Sequence, residues 1–254
     1  MHDQRPGAGQ GPWFDAAFER GYLELYPHRD LAAARAEVAG LLARGLAASA
    51  GRVLDLGCGF GRHLVALRAR GLDAWGLDRS RELLARVPAE LSGRIVRGDF
   101  RALPYRDRSF AAVVMLFSSF GYFDDAGNAG ALAELARVLA PGGVAVLDVM
   151  NPALVRATLV PESLTRRAGL ELHERRALAA GGRRVQKDVR ARAADGSERR
   201  WREDVRLYEP EELGPLLAGA GLALVRVEGD FDGRPAGSDA PRQIVWARRK
   251  EGGR

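Results

Sequence analysis

The chain has 254 residues with a formal net charge of +6, of which 46% are hydrophobic and 28% charged. That balance excludes a mainly disordered chain, and at this length one α/β domain carrying an elaboration is the simplest organisation. The single cysteine, Cys58, excludes an intramolecular disulfide and a multi-cysteine metal site, and the four histidines (His2, His28, His63 and His173) are too scattered to make a metal motif.

Residues 1–12 are polar and rich in Gly and Pro, a flexible tail rather than a signal peptide. No apolar run approaches the roughly 18 residues of a membrane helix, so a cytoplasmic location without membrane association is expected. Residues 13–26 place Phe14, Phe18 and Tyr22 at helical spacing, and Pro27 interrupts the run. Asp30 is positioned to cap a second helix over 31–46, with Leu31, Ala34, Val38 and Leu41 on one side. Residues 13–50 therefore read as a helical cap.

From Arg52 the period alternates. Strands are predicted over 52–56, 74–77, 94–97, 111–117 and 144–149, and helices over 62–70, 80–87 and 128–140, with Pro141-Gly142-Gly143 as a breaker. That order predicts βαβ units, right-handed crossovers and a parallel sheet over 51–150. The character changes after Met150. A short helix over 151–159 is followed by period-two alternation over 183–208 around the turn signal Asp195-Gly196, with 170–178 as a weaker third strand. Residues 151–208 read as an antiparallel insert. The helix over 210–220 and the strands over 222–228 and 243–248 make 209–254 the closing part of the core sheet.

The insert holds the whole charge excess: 14 Lys+Arg and 8 Asp+Glu lie between positions 151 and 208, against 25 and 25 elsewhere. Such a patch fits either a solvated face or a nucleic-acid surface.

Residues 55–61, Asp55-Leu56-Gly57-Cys58-Gly59-Phe60-Gly61, join the first strand to the next helix. Glycines there let a backbone approach a ligand with no Cβ in the way, and the helix N-terminus presents N–H groups to an anion. A dinucleotide fingerprint requires a third glycine at the sixth position, which is Arg62 here. Asp78 ends the second strand, where a carboxylate can accept hydrogen bonds from a ribose diol. Gly98-Asp99-Phe100 ends the third strand, and Leu139-Ala140-Pro141-Gly142-Gly143 precedes the fifth.

These four motifs, in this order, resemble the class I S-adenosylmethionine-dependent methyltransferases. Residues 57–63, 116–123 and 229–242 are similar to a bacterial small-molecule-type subgroup of them. The resemblance implies a Rossmann-like seven-stranded, mostly parallel α/β sheet with an antiparallel closing strand, N-terminal helical cap and small antiparallel β insert. It implies S-adenosylmethionine as cofactor and a methyl transferase activity, in line to a nucleophilic atom. Asp55, Gly57, Cys58 and Gly59 would surround the methionine part, with Arg62 on its carboxylate. Asp78 would bind ribose, Arg79 would pack on adenine, and Asp99 and Phe100 would bracket it. Leu116 and Phe117 would end the fourth strand beside the methyl group, and Tyr22 and Tyr26 would either close over the methionine end or fill the core. Cys58 reads as a packed thiol and His63 as a helix-face residue.

No catalytic residue is readable. The segment Phe117-Ser118-Ser119-Phe120 lacks the proline of base-amine methyltransferases, and no second cysteine or paired-glutamate loop is present. A small-molecule acceptor is left, with Ser118, Ser119, Tyr122, Trp201, Tyr208, His173, residues 230–232 and Arg242 as candidate contacts; Trp201 also suits a core position. Few aromatics interleave the basic insert and acids are scattered through it, which argues against nucleic acid. An RNA methyltransferase and a non-catalytic cofactor-binding protein remain the alternatives.

Overall fold

The computed structural model describes residues 12–18, 25, 30–46 and 51–251. Tyr22, Tyr26, His2 and His28, and with them the expected tail over 1–11, lie outside the described residues. The chain folds around a seven-stranded sheet of order β10-β11-β5-β4-β1-β2-β3. These strands are β1 (Arg52–Leu56), β2 (Asp73–Asp78), β3 (Ile95–Arg97), β4 (Phe110–Met115), β5 (Leu139–Met150), β10 (Leu222–Glu228) and β11 (Arg242–Arg249). Strands β1 to β5 pair in parallel, while β11 runs antiparallel to both β5 and β10.

The central strands read as unbroken apolar runs because both faces are covered. Leu54, Leu56, Val113, Met115, Leu147 and Val245 face one core cluster, and Val53, Ala112, Val114, Val146 and Trp246 face the other. Helix α2 (Leu31–Ala43), capped by Asp30 through Ala33 N at 2.8 Å, and α3 (Arg62–Ala69) cover the second cluster. Helices α5 (Asp125–Val138) and α7 (Pro210–Gly219) cover the first. Between β2 and β3 the expected helix over 80–87 is shorter: α4 (Arg81–Leu84), capped by Ser80, gives way to a 3-10 turn over Ala89–Arg94 after Pro88.

Two further expectations are corrected. Pro141-Gly142-Gly143 does not separate helix from strand. Helix α5 ends at Val138, and β5 already pairs at Leu139 with Phe110; pairing resumes at Ala112 with Val144. The Pro-Gly-Gly residues are extra length on one strand, a bulge that Gly142 absorbs at φ 71°. Second, β4 stops at Met115, before Leu116 and Phe117. Phe117 (φ 59°) and Ser118 (φ 54°) turn the chain left-handed, which ends the ladder.

The insert contains four antiparallel strands rather than three: β6 (Glu162–Arg167), β7 (Leu170–Ala179), β8 (Arg184–Arg192) and β9 (Glu198–Arg206), following helix α6 (Pro152–Thr158). Strand β6 has no clean apolar alternation because it is an exposed edge, with Leu164 65% accessible. Many of the basic residues pair with acids, as in Arg202–Asp188 (2.7 Å) and Arg184–Asp204 (2.5 Å), although the basic residues outnumber the acids. Lys187, the one lysine of the insert, approaches both Glu203 (2.7 Å) and Glu174 (3.9 Å). No described helix is long and apolar enough to cross a membrane.

Candidate functional site

The C-terminal ends of β1, β2 and β4 open onto one cavity of about 360 Å³. Sheet topology places it there: the connection leaving β1 runs toward β2 and the one leaving its neighbour β4 runs toward β5, in opposite directions, so a crevice forms between them. The turn after β1 forms its floor. Gly57, Gly59 and Gly61 all adopt positive φ, and Gly57 N and Cys58 N both donate to Leu77 O, at 2.8 and 3.1 Å. A Cβ on Gly57 would stand 2.8 Å from Ser119 Oγ and 3.3 Å from the Phe100 ring, so glycine keeps the floor open. Cys58 is buried, its sulfur packed where only Gly76 leaves room, and burial pushes its thiol well up.

Asp78 ends β2 on the cavity wall. Its Oδ2 accepts from Gly59 N and its Oδ1 from Ser80 N, both at 2.8 Å. The Arg79 N–H also bears on this carboxylate, so of its usual four lone-pair sites at least one stays open. Burial pushes this carboxyl up against the pull of those N–H groups. Asp99 is more fully engaged. Arg101 donates to both of its oxygens from backbone and side chain, and Arg79 donates to Oδ2 at 3.2 Å, which fills the usual four lone-pair sites. An incoming amino group at Asp99 must therefore displace an arginine. Phe100 and Leu116 line the cavity beside it.

Arg62 is buried, not on a surface face. Its Nη1 donates to Glu37 Oε2 at 3.1 Å, its guanidinium carbon lies 4.0 Å from the Phe117 ring centre, and its Nη2 has no partner. A buried guanidinium with one open N–H edge on a cavity wall suits a carboxylate. Glu37 also holds His63 Nε2 at 2.6 Å. Burial raises the Glu37 carboxyl, but the His63 hydrogen bond and the charges around it bring it below its ordinary value, while burial lowers His63. The imidazole is thus kept neutral and tied to Glu37. Asp55 stands behind the cavity rather than on its wall. It is 1% exposed, its Oδ2 lacks a partner, and burial raises its carboxyl to about 7 against the opposing charge of Arg62.

Helix α1 (Trp13–Ala17) roofs the opening through Phe14, Asp15 and Phe18. Arg79 grips Asp15 through Nε (2.5 Å) and Nη2 (2.9 Å), and Ser80 Oγ donates to Phe18 O at 2.7 Å. Arg79 faces this roof and Asp99.

A second cavity, of about 260 Å³, shares Phe18, Phe117 and Tyr122 with the first. Ser118, Tyr122 and Arg242 meet there with Asp148 and Glu203. Arg242 Nη1 donates to Asp148 Oδ2 at 2.7 Å, and Phe117 N donates to the same oxygen at 2.8 Å. Asp148 is fully buried, its Oδ1 has no partner, and burial raises its carboxyl to about 6. Ser119 is buried and donates to Leu116 O at 2.8 Å. The other candidates lie elsewhere. Trp201 packs in the insert against Leu25, Leu172 and Ala191 and borders neither cavity. Tyr208 stacks on Phe120 in the core at 5.2 Å, and His173 pairs with Glu162 on the insert. Phe231 is core, and Asp232 pairs with Arg234.

Sequence reasoning did not single out Asp15, Glu37 or Asp148. Asp148 left a signal, a carboxylate inside the otherwise apolar Val144–Val149 run. Asp15 and Glu37 left none, since helix acids are ordinarily solvated.

Comparison with known proteins agrees with this geometry. A family model described as a methyltransferase domain matches residues 53–143. A dTDP-3-amino-3,4,6-trideoxy-alpha-D-glucopyranose N,N-dimethyltransferase of Streptomyces venezuelae is 30% identical over 213 residues, covering 81% of this chain and 89% of the relative. An amino pentose methyltransferase from Micromonospora echinaspora involved in calicheamicin biosynthesis, solved with S-adenosylmethionine bound, superposes with TM-score 0.66 at 26% identity, covering 91% and 97% of the two chains. A Clostridium acetobutylicum S-adenosylmethionine-dependent methyltransferase shares the fold, with TM-score 0.74 at 16% identity over 90% of this chain and 96% of that one. With the glycine turn, the strand-end carboxylate and the open guanidinium edge around one cavity, these likenesses establish that the chain belongs to the class I S-adenosylmethionine-dependent methyltransferases.

Proposed function

We propose that the first cavity holds S-adenosylmethionine through Gly57, Cys58, Gly59, Arg62, Asp78 and Phe100, and that the acceptor is a small molecule seated in the second cavity. The observation that carries this reading is Arg62. A buried guanidinium with an unpartnered Nη2 is costly unless a ligand oxygen completes it, and it stands one helical position beyond the glycine turn. The amino-acid carboxylate of the cofactor supplies that oxygen. Asp78 keeps acceptor capacity for a ribose hydroxyl beside its three backbone N–H partners. Phe100 and Leu116 give the base an apolar slot, with Asp99 reaching its amino group only as Arg79 lets go.

When bound, the cofactor supplies an electrophilic methyl group on a sulfonium. The chain's own task is positioning and exclusion of water. Near-attack placement of that kind is worth about 7–11 kcal/mol in well-oriented systems. Here it falls to Phe117 and Tyr122, which border both cavities, and to the α1 roof fastened by Asp15 and Arg79. No general base is required unless the acceptor must lose a proton before attack. The named relatives act on amino sugars, which supports a compact acceptor; in the insert, acids paired with arginines interrupt the basic surface that a nucleic-acid backbone would follow.

Thermal unfolding with S-adenosylmethionine, S-adenosylhomocysteine and NAD in parallel tests the cofactor half. A ligand at about 100 times its dissociation constant stabilises by about 2.7 kcal/mol, or roughly 5–10 °C at this chain length. Shifts with both adenosyl-sulfur ligands and none with NAD are expected; a shift with NAD alone refutes the reading.

A further inference from the structure

We infer that the second cavity is built for an amine, and that Asp148 Oδ1 is the acceptor for the N–H of the nitrogen to be methylated. This rests on the cofactor reading above and names the acceptor class that it leaves open.

Asp148 borders the cavity from the end of β5, fully buried, with two donors on Oδ2 and nothing on Oδ1. An ionised carboxylate oxygen without a donor in such a place is costly, and the group that removes the cost is a donor on a bound molecule. Amines and hydroxyls both donate, so the surrounding charge decides between them. The cavity's carboxylates are Asp148 and Glu203, and its described cation is Arg242. That guanidinium is shared between Asp148 (2.7 Å) and Asp230 (3.5 Å), two carboxylates on one positive charge. Glu203 is held by Lys187 at 2.7 Å from the insert side, which leaves one net negative charge on Asp148, Asp230 and Arg242 together. Glu37 also bears on Asp148 but is itself paired with Arg62. The walls are aromatic: Trp13, Phe18, Phe117 and Tyr122. Aromatic faces around a carboxylate with a surplus of negative charge favour a cation over an anion or a neutral hydroxyl. A protonated amine matches that set; because an ammonium has no lone pair, one N–H proton passes to Asp148 Oδ1 before transfer, and the neutral amine then takes the methyl group to give an N-methylated cation that matches the set again.

Position agrees with chemistry. Asp148 Oδ2 and backbone O hold Phe117 N (2.8 Å) and Ser118 N (3.1 Å), so the carboxylate that would hold the amine also fixes the turn separating it from the cofactor cavity.

The test uses protein saturated with S-adenosylhomocysteine and four probes that fit an apolar pocket: cyclohexylamine, N-methylcyclohexylamine, cyclohexanol and cyclohexyltrimethylammonium. The quaternary ion keeps the charge and the cation–π attraction but has no N–H. Calorimetric titration is expected to show saturable binding of both amines, with the alcohol and the quaternary ion weaker by about tenfold or more. Asp148→Asn is expected to abolish that preference while S-adenosylhomocysteine still binds saturably. The wild-type comparison stands alone if the variant does not fold. Equal binding of the alcohol or the quaternary ion, or no saturable amine binding to protein that does bind S-adenosylhomocysteine, overturns the inference and leaves the cofactor reading intact. Failure to bind S-adenosylhomocysteine overturns both.

Discussion

Asp55 gives the clearest quantitative test of the site's electrostatics. Its carboxyl is fully buried, has one oxygen without a partner, and is raised from 3.8 to about 7. The sign follows from linkage: the native state binds this proton more tightly than the unfolded chain, so the contribution is fully present below about pH 4 and is lost as pH rises to about 7. A shift of this size corresponds to an upper bound of about 4 kcal/mol. Asp55→Asn replaces the carboxyl with a neutral group of the same shape. At pH 4 variant and wild type should differ by less than about 1 kcal/mol, because the wild-type carboxyl is protonated in the native state and only about half ionised in the unfolded chain. By pH 8 the ligand-free variant should be the more stable by up to about 4 kcal/mol, or roughly 8–16 °C in midpoint at this size. Thermal unfolding of both proteins without ligand, in steps between pH 4 and 8, measures the divergence. Asp148, raised to about 6, bends both curves alike and drops out of the difference. Parallel curves would refute the argument, showing that Arg62 or solvent compensates the Asp55 charge.

Three further outcomes are expected. Asp78→Ala removes a carboxylate whose spare acceptor directions face the cavity, and should weaken S-adenosylhomocysteine binding by about 1.5–3 kcal/mol in calorimetry; unchanged affinity would place the ribose elsewhere. Cys58, buried with its thiol pushed up, should react with a disulfide reagent at pH 8 only as fast as the protein unfolds, and rapid labelling of native protein would contradict the packing against Gly76. Ser118→Gly should stabilise the ligand-free protein by about 1 kcal/mol, seen as a raised midpoint, because φ 54° is strained for serine and free for glycine; a lowered midpoint would mean that the serine side chain holds the turn.

The parts of this molecule legible in its sequence are those governed by local rules. The strand–helix alternation, the glycine turn and Asp78 at a strand end follow from periodicity and spacing, and the structure brings Gly57, Gly59, Arg62, Asp78, Asp99 and Leu116 to one cavity wall. Long-range burial hid the rest. From the sequence Arg62 suits either a carboxylate partner or a surface helix residue, and only Glu37, from another helix, and Phe117, from another loop, show it enclosed. Trp201, in an alternating strand of the insert, reads as core more readily than as a pocket aromatic, and its packing on Leu172 and Ala191 places it there. Edge strand β6 is invisible because an exposed edge does not require the alternation that marks a half-buried strand. The Pro-Gly-Gly bulge was missed for the opposite reason, since a strong local breaker was overridden by sheet pairing on both sides of it.

The two cavities are joined by one device. The Phe117 ring lies 4.0 Å from the Arg62 guanidinium carbon and 5.1 Å from that of Arg242, so one aromatic face meets a cation from each cavity. Each cation is tied to a carboxylate behind it, Arg62 to Glu37 and Arg242 to Asp148. Two consecutive left-handed residues cost about 1–3 kcal/mol each, and such strain persists only where surroundings over-determine it. Here Asp148 supplies the constraint, with its side chain on Phe117 N and its backbone on Ser118 N. A change in charge at Asp148 therefore acts on the partition as well as on the pocket. Loss of its negative charge would weaken the hold on Arg242 and on the Phe117 end of the turn together.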